Sequence, residues 1–564
     1  MRHESLFKKD HVFEIREKDL LGRIGKLHTK NGILETPYLF PVVHPIHHIV
    51  LPKEIREIGF PAVMTNAFLA RKSFGTDPGK KIHELLDFNG IVATDSGAYQ
   101  ILIYGGIETT QTEIIRFQEQ ISSDIAVILD VPTGLTNDRA HAEKTVKLTL
   151  QRADQAIESI IERDILWVGP IQGGLNLDLV TESSKHMDEK NFPILALGSP
   201  TQIMEQYMYR QLVNMILTCK TWIRPSSPLH LFGGGHPSMF ALAVSLGCDL
   251  FDSASYAIFA RNNRYLTPNG TIRFEDLEYL PCSCSICRKL DVKDIRDFPK
   301  EKRVRALAIH NLNICSEELR RIKQSIHEGR LWELVMQRAR AHPKLFESIY
   351  ELRKYRSLLE SHSPISKKKG IFFFDHLDYI RPEIFRFRKR LIEEFTLPTK
   401  FKIMILMPPP LTKPYEMDKN LRKMKDVIKE RKDVHICFYD VPYGPIPIEL
   451  SDVYPITQTE TSNTDNLLVR LDAEESLAQY VKKSKCKMVV LHSSDQVWSR
   501  EMVLKLRKQC LQAKSKMRIS YYGDDMWSKE AMLKLNSTLN SCKTKPEKRS
   551  SVRCLKKSYK HSLK

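Results

Sequence analysis

The 564-residue chain predicts an α/β protein: a (β/α)8 barrel of the TIM type interrupted by a cysteine-rich insertion, then a smaller C-terminal α/β domain. Three observations carry that expectation. Short apolar runs alternate with amphipathic stretches through the first half. A tight group of cysteines follows the last of these runs. A second, shorter series of apolar runs begins after a Ser- and Lys-rich stretch.

The first series is Tyr38–Val43, Ala62–Ala67, Gly90–Asp95, Ala126–Val131, Ile165–Gln172, Pro193–Gly198, Pro228–Gly233 and Asp249–Ala254. That is the strand count of a closed parallel barrel. The runs are too apolar for strands with one wet face and suit strands buried on both. Between them, Gln111–Ser122 and Ala140–Glu162 carry apolar residues at helical spacing. A doubly wound open sheet is the other architecture that this alternation allows. The pattern stops near Ala254, and a basic helical region follows from Ser316 to Tyr355. Ser316 before Glu317 and Glu318 has the form of a helix start.

The expected organisation is a barrel domain over 1–360, a linker over 361–370, an α/β domain over 371–530 and a basic tail over 531–564. Runs at Gly370–Phe374, Lys402–Met407, Val434–Tyr439 and Lys487–His492 supply strands for the second domain. The tail has too few large apolar residues to build a core and is expected to be disordered.

A formal net charge of +19 points to a polyanionic partner, because Lys and Arg displace counterions from phosphates. No apolar stretch is long enough to span a bilayer, and Met1-Arg2-His3-Glu4 lacks the apolar core of a signal peptide. A cytoplasmic protein without a membrane partner is the expectation. The 11 cysteines are odd in number and mostly scattered, which does not suit a secreted disulfide framework.

Barrels of this kind place their chemistry at the C-terminal strand ends. Those ends read Thr94-Asp95-Ser96-Gly97, Asp130-Val131-Pro132-Thr133, Gln172-Gly173-Gly174, Gly198-Ser199, Gly233-Gly234-Gly235-His236 and Phe251-Asp252-Ser253. A single Asp after a strand is usually a helix cap. Three Asp and a Gln on successive strands, interleaved with glycines, are not explained by capping. Two carboxylates at a glycosidic centre can divide the work, one attacking the anomeric carbon and the other moving protons. A third, with amide and backbone groups, can read the edge of a base. No Ser-His-Asp order or nucleophile elbow competes.

The cluster Cys282-Ser283-Cys284-Ser285-Ile286-Cys287, with His310 available, offers the Cys3His set of a closed tetrahedral zinc site. With no ligand position left for water, one structural Zn2+ is expected, which makes this a zinc-binding insertion.

Together, Asp95-Ser96-Gly97-Ala98-Tyr99-Gln100, Asp130, Gln172-Gly173-Gly174, the run from His230 to Pro237 and the run from Leu250 to Ala257 resemble the archaeal tRNA-guanine transglycosylases. The cysteine cluster and His310 resemble that family's zinc site. The resemblance covers about residues 10–350. It implies exchange of guanine at position 15 of the tRNA D-arm for free 7-cyano-7-deazaguanine (preQ0), within archaeosine synthesis. It implies Asp252 as nucleophile, Asp95 as general acid/base, and Ser96, Asp130, Gln172, Gly173 and Gly198 around the base. It also implies a homodimer.

Lys413-Pro414-Tyr415 and the stretch Asp440–Gln458 resemble the first C-terminal domain of these enzymes. A related motif occurs in archaeosine synthases, but Pro408, Pro409, Asp418 and Leu421 depart from it and argue against synthase activity. Nothing from Cys510 onward reads as the PUA domain that usually ends the family. The tRNA grip is therefore expected from Arg320, Arg321, Lys323, Arg330, Arg338 and Arg340, from the basic tail, or from a separate PUA-type RNA-binding protein. Two other functions stay open at this level: a non-catalytic tRNA-binding subunit, and an enzyme inserting a 7-deazaguanine into DNA.

Overall fold

The computed structural model describes residues 12–98, 109–462, 467–494, 498 and 500–542. The end of the Asp95–Gln100 motif and the basic stretch 543–564 lie outside them. The chain divides into two compact units, Met1–Phe385 with Glu460–Ser462 and Arg386–Thr459 with Asn463–Lys564.

The first unit opens with an antiparallel sheet of β1 (Phe13–Asp19), β2 (Gly22–Thr29) and β3 (Gly32–Thr36). The barrel follows: β4 (Tyr38–Pro41), β5 (Ala62–Asn66), β6 (Ile91–Asp95), β7 (Ile125–Val127), β8 (Leu166–Ile171), β9 (Ile194–Leu197), β10 (Leu229–Leu231) and β11 (Leu250–Ser253). Each pairs in parallel with its neighbour, and β11 pairs with β4. A parallel bridge between Val42 and Met64 joins β4 to β5, with Val43 N donating to Met64 O at 2.8 Å. That bridge closes the ring and decides for a barrel over the open sheet. The strands carry almost wholly buried residues because helices cover one face and the barrel core fills the other.

The N-terminal sheet caps the end of the barrel away from the strand C-termini. Arg23 of β2 reaches Asp249, just before β11, with Nε 2.7 Å from Oδ1 and Nη2 2.7 Å from Oδ2. Asp249 Oδ2 also accepts from Leu229 N at 2.8 Å, at the start of β10. Both charges are buried, so each needs the other to offset its desolvation.

After the barrel comes the hairpin of β12 (Arg264–Thr267) and β13 (Gly270–Arg273). A long helix, Lys300–Glu328, then packs back on the barrel through Leu307, Leu312, Leu319 and Ile322. Ser316 does not start a helix: it lies buried inside this one, which begins after Pro299. The continuous apolar face outweighs a local capping signal. The Ser- and Lys-rich stretch expected as a linker is anchored, since buried Lys367 holds its ammonium 2.8 Å from both Asp19 Oδ1 and Glu383 Oε1. The division between units falls later, after Phe385.

The second unit is built on a five-stranded sheet in the order Gly444–Pro447, Val434–Asp440, Ile403–Met407, Met488–Ser494, Lys516–Gly523. The first pair is antiparallel and the others parallel. Lys413 donates to the carbonyls of Ile456 (3.1 Å) and Thr459 (2.5 Å), and the Tyr415 amide donates to Asp452 Oδ1 at 2.8 Å. In this arrangement the Lys-Pro-Tyr motif fastens one loop to another.

Candidate active site

The strand ends bring three carboxyl groups into one electrostatic environment. Asp95 closes β6. Its Oδ2 accepts from Asn66 Nδ2 at 2.8 Å and from Gly97 N at 3.2 Å. Asn66, at the end of β5, is itself held, because its Oδ1 caps the next helix by accepting from Leu69 N at 2.9 Å. Burial, and then the negative charges of Asp252 and Asp130, push the Asp95 carboxyl up to about 7. A group in that range can give and take a proton near neutrality.

Asp130 lies just beyond β7 and is 4% exposed. Burial raises it to about 6, opposed chiefly by the hydrogen bond from Gln172. Gln172 Nε2 stands 2.5 Å from Asp130 Oδ2, while its Oε1 accepts from Thr133 N (3.0 Å) and Ser199 Oγ (2.8 Å). The amide is therefore fixed in one orientation. Gly198 gives it room: a Cβ there would stand 2.2 Å from Gln172 Nε2. Gly173 has φ +137°, and a Cβ on it would fall 2.7 Å from Val180 N, so it serves the turn. The Ser96 hydroxyl is buried with no hydrogen-bond partner among the described residues, as suits a group reserved for a ligand.

Asp252 lies on β11. One oxygen, Oδ1, accepts from His230 Nε2 at 2.9 Å and from Gly233 N at 3.1 Å. The other oxygen takes no hydrogen bond from the described residues. This rim has an unengaged carboxylate oxygen, a carboxyl poised near neutrality and a fixed carboxyl–amide pair, the parts that nucleophilic exchange at a glycosidic carbon needs.

A second cluster stands apart from the rim. The Sγ atoms of Cys282, Cys284 and Cys287 and a ring nitrogen of His310 lie within 4.8 Å of one another. His310 Nδ1 is 3.3 Å from Cys287 Sγ and 3.7 Å from Cys284 Sγ, and its Nε2 donates to Leu266 O at 2.9 Å. That outer bond fixes the tautomer that turns Nδ1 towards the sulfurs. The Tyr265 ring stacks on His310 at 3.6 Å. Three thiolates and one imidazole with an oriented outer partner fit a tetrahedral metal such as zinc.

The family model described as queuine tRNA-ribosyltransferase matches residues 19–344. The chain belongs to the queuine tRNA-ribosyltransferase family. It is 40% identical to the tRNA-guanine(15) transglycosylase of Sulfolobus acidocaldarius over 84% of this chain and 93% of that protein. It is 42% identical to the enzyme of the same name from Saccharolobus solfataricus over 85% of this chain and 96% of the relative. A second family model, described only as a domain of unknown function, matches residues 384–539. As a family member the chain is a tRNA-modifying pentosyltransferase. No helix among the described residues is long and apolar enough to cross a membrane.

Within this queuine tRNA-ribosyltransferase fold, Asp95, Ser96, Asp130, Gln172, Gly198 and Asp252 all fall at C-terminal strand ends, as expected from sequence. Asn66 was not expected at the site, Ser199 was noted only as part of a strand end, and His230 only as part of a motif. Asn66 closes β5, one residue before the end of the run Ala62–Ala67, so the strand-end rule could have found it. His230 lies inside the apolar run Pro228–Gly233, in the middle of β10, and carries no local sign of its partner.

The basic row from Arg320 to Arg340 is less free than its sequence suggests. Arg338 is bidentate to buried Glu318, with Nε and Nη2 each 2.8 Å from a carboxylate oxygen. Lys323 pairs with Glu35, Arg321 with Glu317 and Arg340 with Asp375. Arg330 lies over the Phe372 ring.

Proposed function

We propose that this chain exchanges guanine at position 15 of tRNA for 7-cyano-7-deazaguanine through a covalent aspartyl–ribose intermediate, a step in archaeosine synthesis. The observation that carries this reading is the pairing of Asp252, with one oxygen engaged and one not, with Asp95, pushed up to about 7. Asp252 attacks C1′ of the target nucleotide. The glycosidic bond breaks, its electron pair leaves with the base, and Asp95 supplies the proton. The incoming base then gives its proton to Asp95 and attacks C1′, and the electron pair of the ester bond returns to Asp252. Asp130 and Gln172 meet the hydrogen-bonding edge of the base, with Ser96 beside them. The names borne by the two relatives support guanine 15 as the site.

Cys282, Cys284, Cys287 and His310 would hold one Zn2+, which with all four positions filled by protein has a structural role. The test is covalent trapping. Wild-type protein mixed with tRNA should give a denaturation-resistant protein–RNA adduct, and Asp252→Asn should give none while keeping its fold and metal content. An adduct of normal yield from Asp252→Asn would overturn the assignment.

A further inference from the structure

We propose that His230 is a positioning residue that orients the Asp252 carboxylate for attack and stabilises its charge when the ester breaks. The proposal rests on the reading of Asp252 as nucleophile. His230 is 1% exposed, and its ring lies near Phe40 and Phe232, at centroid distances of 5.9 and 4.8 Å. Packed so, the imidazole has little freedom to rotate, and Nε2 is aimed at Asp252 Oδ1 at 2.9 Å. Gly233 N meets the same oxygen at 3.1 Å.

Two donors on one oxygen do two things. They stop the carboxylate from turning about its Cβ–Cγ bond, so the lone pairs of Oδ2 keep one direction. They also aim two N–H dipoles at the oxygen pair on which charge must re-form. When Oδ2 is joined to C1′, Oδ1 becomes the ester carbonyl and needs less from its donors. When the incoming base displaces the ester, the electron pair of the C1′–Oδ2 bond returns to the carboxylate, and the preset N–H groups stabilise the charge there as it forms. A carboxylate hydrogen-bonded only through water would have to reorganise its solvent at each step.

A space-filling histidine would give the same packing but not the same response to substitution. His230→Phe keeps an aromatic ring and removes the donor. His230→Gln returns an N–H near the position of Nε2. Adduct formation in a single turnover, followed from acid to alkaline pH, should be about 10–100-fold slower in His230→Phe, the range of a hydrogen bond to a charged group. The affinity for tRNA should be unchanged. His230→Gln should recover most of the rate.

Should His230→Phe not fold, His230→Asn against His230→Gln makes the same comparison, since the Asn amide is too short to reach Asp252. Equal rates in the donor-bearing and donor-less variants would overturn the proposal, whether both are fast or both slow. Failure of the nucleophile reading looks different: Asp252→Asn would then still form the adduct.

Discussion

Three carboxyl groups share one end of the barrel, and their surroundings separate their roles. Asp95 is raised most, because it is buried and faces both other charges. Cleavage of the base needs it protonated, so single-turnover cleavage should fall as pH rises through about 7. Asp95→Asn should lower exchange by about 10²–10⁴-fold.

The same shift has a sign for stability. The folded-state value lies above the unfolded one, so the contribution of Asp95 is favourable at low pH and is lost as pH rises through about 7. Asp95→Asn should therefore melt higher than wild type at pH 8, and the gap should close as the pH is lowered towards 4. A gap that widened on acidification would contradict the assignment.

At this scale the sequence was informative where chemistry sits at a strand end. Asp95, Asp130, Gln172 and Asp252 could be read from the residue closing each run. His230 could not, because its role depends on meeting Asp252 across two neighbouring strands. The need for glycine at position 198 comes likewise from a side chain on another strand.

Elements show a similar division between local and long-range information. The cysteine spacing disclosed the Cys/His cluster that could hold a metal, but not that Leu266 of β12 and the ring of Tyr265 orient His310. The site joins the segment after the hairpin to the helix Lys300–Glu328. Cys284→Ser should lower bound zinc and the melting temperature together, because metal binding and folding are linked. Metal analysis beside calorimetry checks this, and loss of zinc with no loss of stability would refute a structural role.

The N-terminal sheet escaped sequence reading because β1, Phe-Glu-Ile-Arg-Glu-Lys-Asp, is mostly exposed and has no apolar run. Ser316 misled for the opposite reason, a sound local cap overridden by packing. Arg338 belongs at this scale too. Arg338→Ala should destabilise the fold, by less than the roughly 3–5 kcal/mol of a wholly unpaired buried charge, since it leaves buried Glu318 only Arg321 Nε, 4.0 Å from its Oε2. Chemical denaturation would measure that cost. A stable variant with weakened tRNA binding would instead return Arg338 to the RNA surface.

On the scale of the whole molecule, the alternation of runs and helices made the barrel legible, and its closure is made by the bridge between Val42 and Met64 with side-chain bonds from Tyr38 and Thr65 across the same seam. The second unit was legible as α/β, although its last strand, Lys516–Gly523, is too polar to stand out. A net charge of +19 agrees with an RNA substrate, but counting cations along a helix did not reveal which of them are already paired.

The most direct test of the whole account is to follow label from free base into nucleic acid. The full chain should be given labelled 7-cyano-7-deazaguanine, or labelled guanine, with a tRNA transcript, with the same transcript altered at guanine 15, and with duplex DNA. Label is expected at position 15 of the unaltered tRNA, with none in the altered transcript or the DNA, and none in any sample with Asp252→Asn. Label at another position, label in DNA, or undiminished incorporation by Asp252→Asn would contradict it.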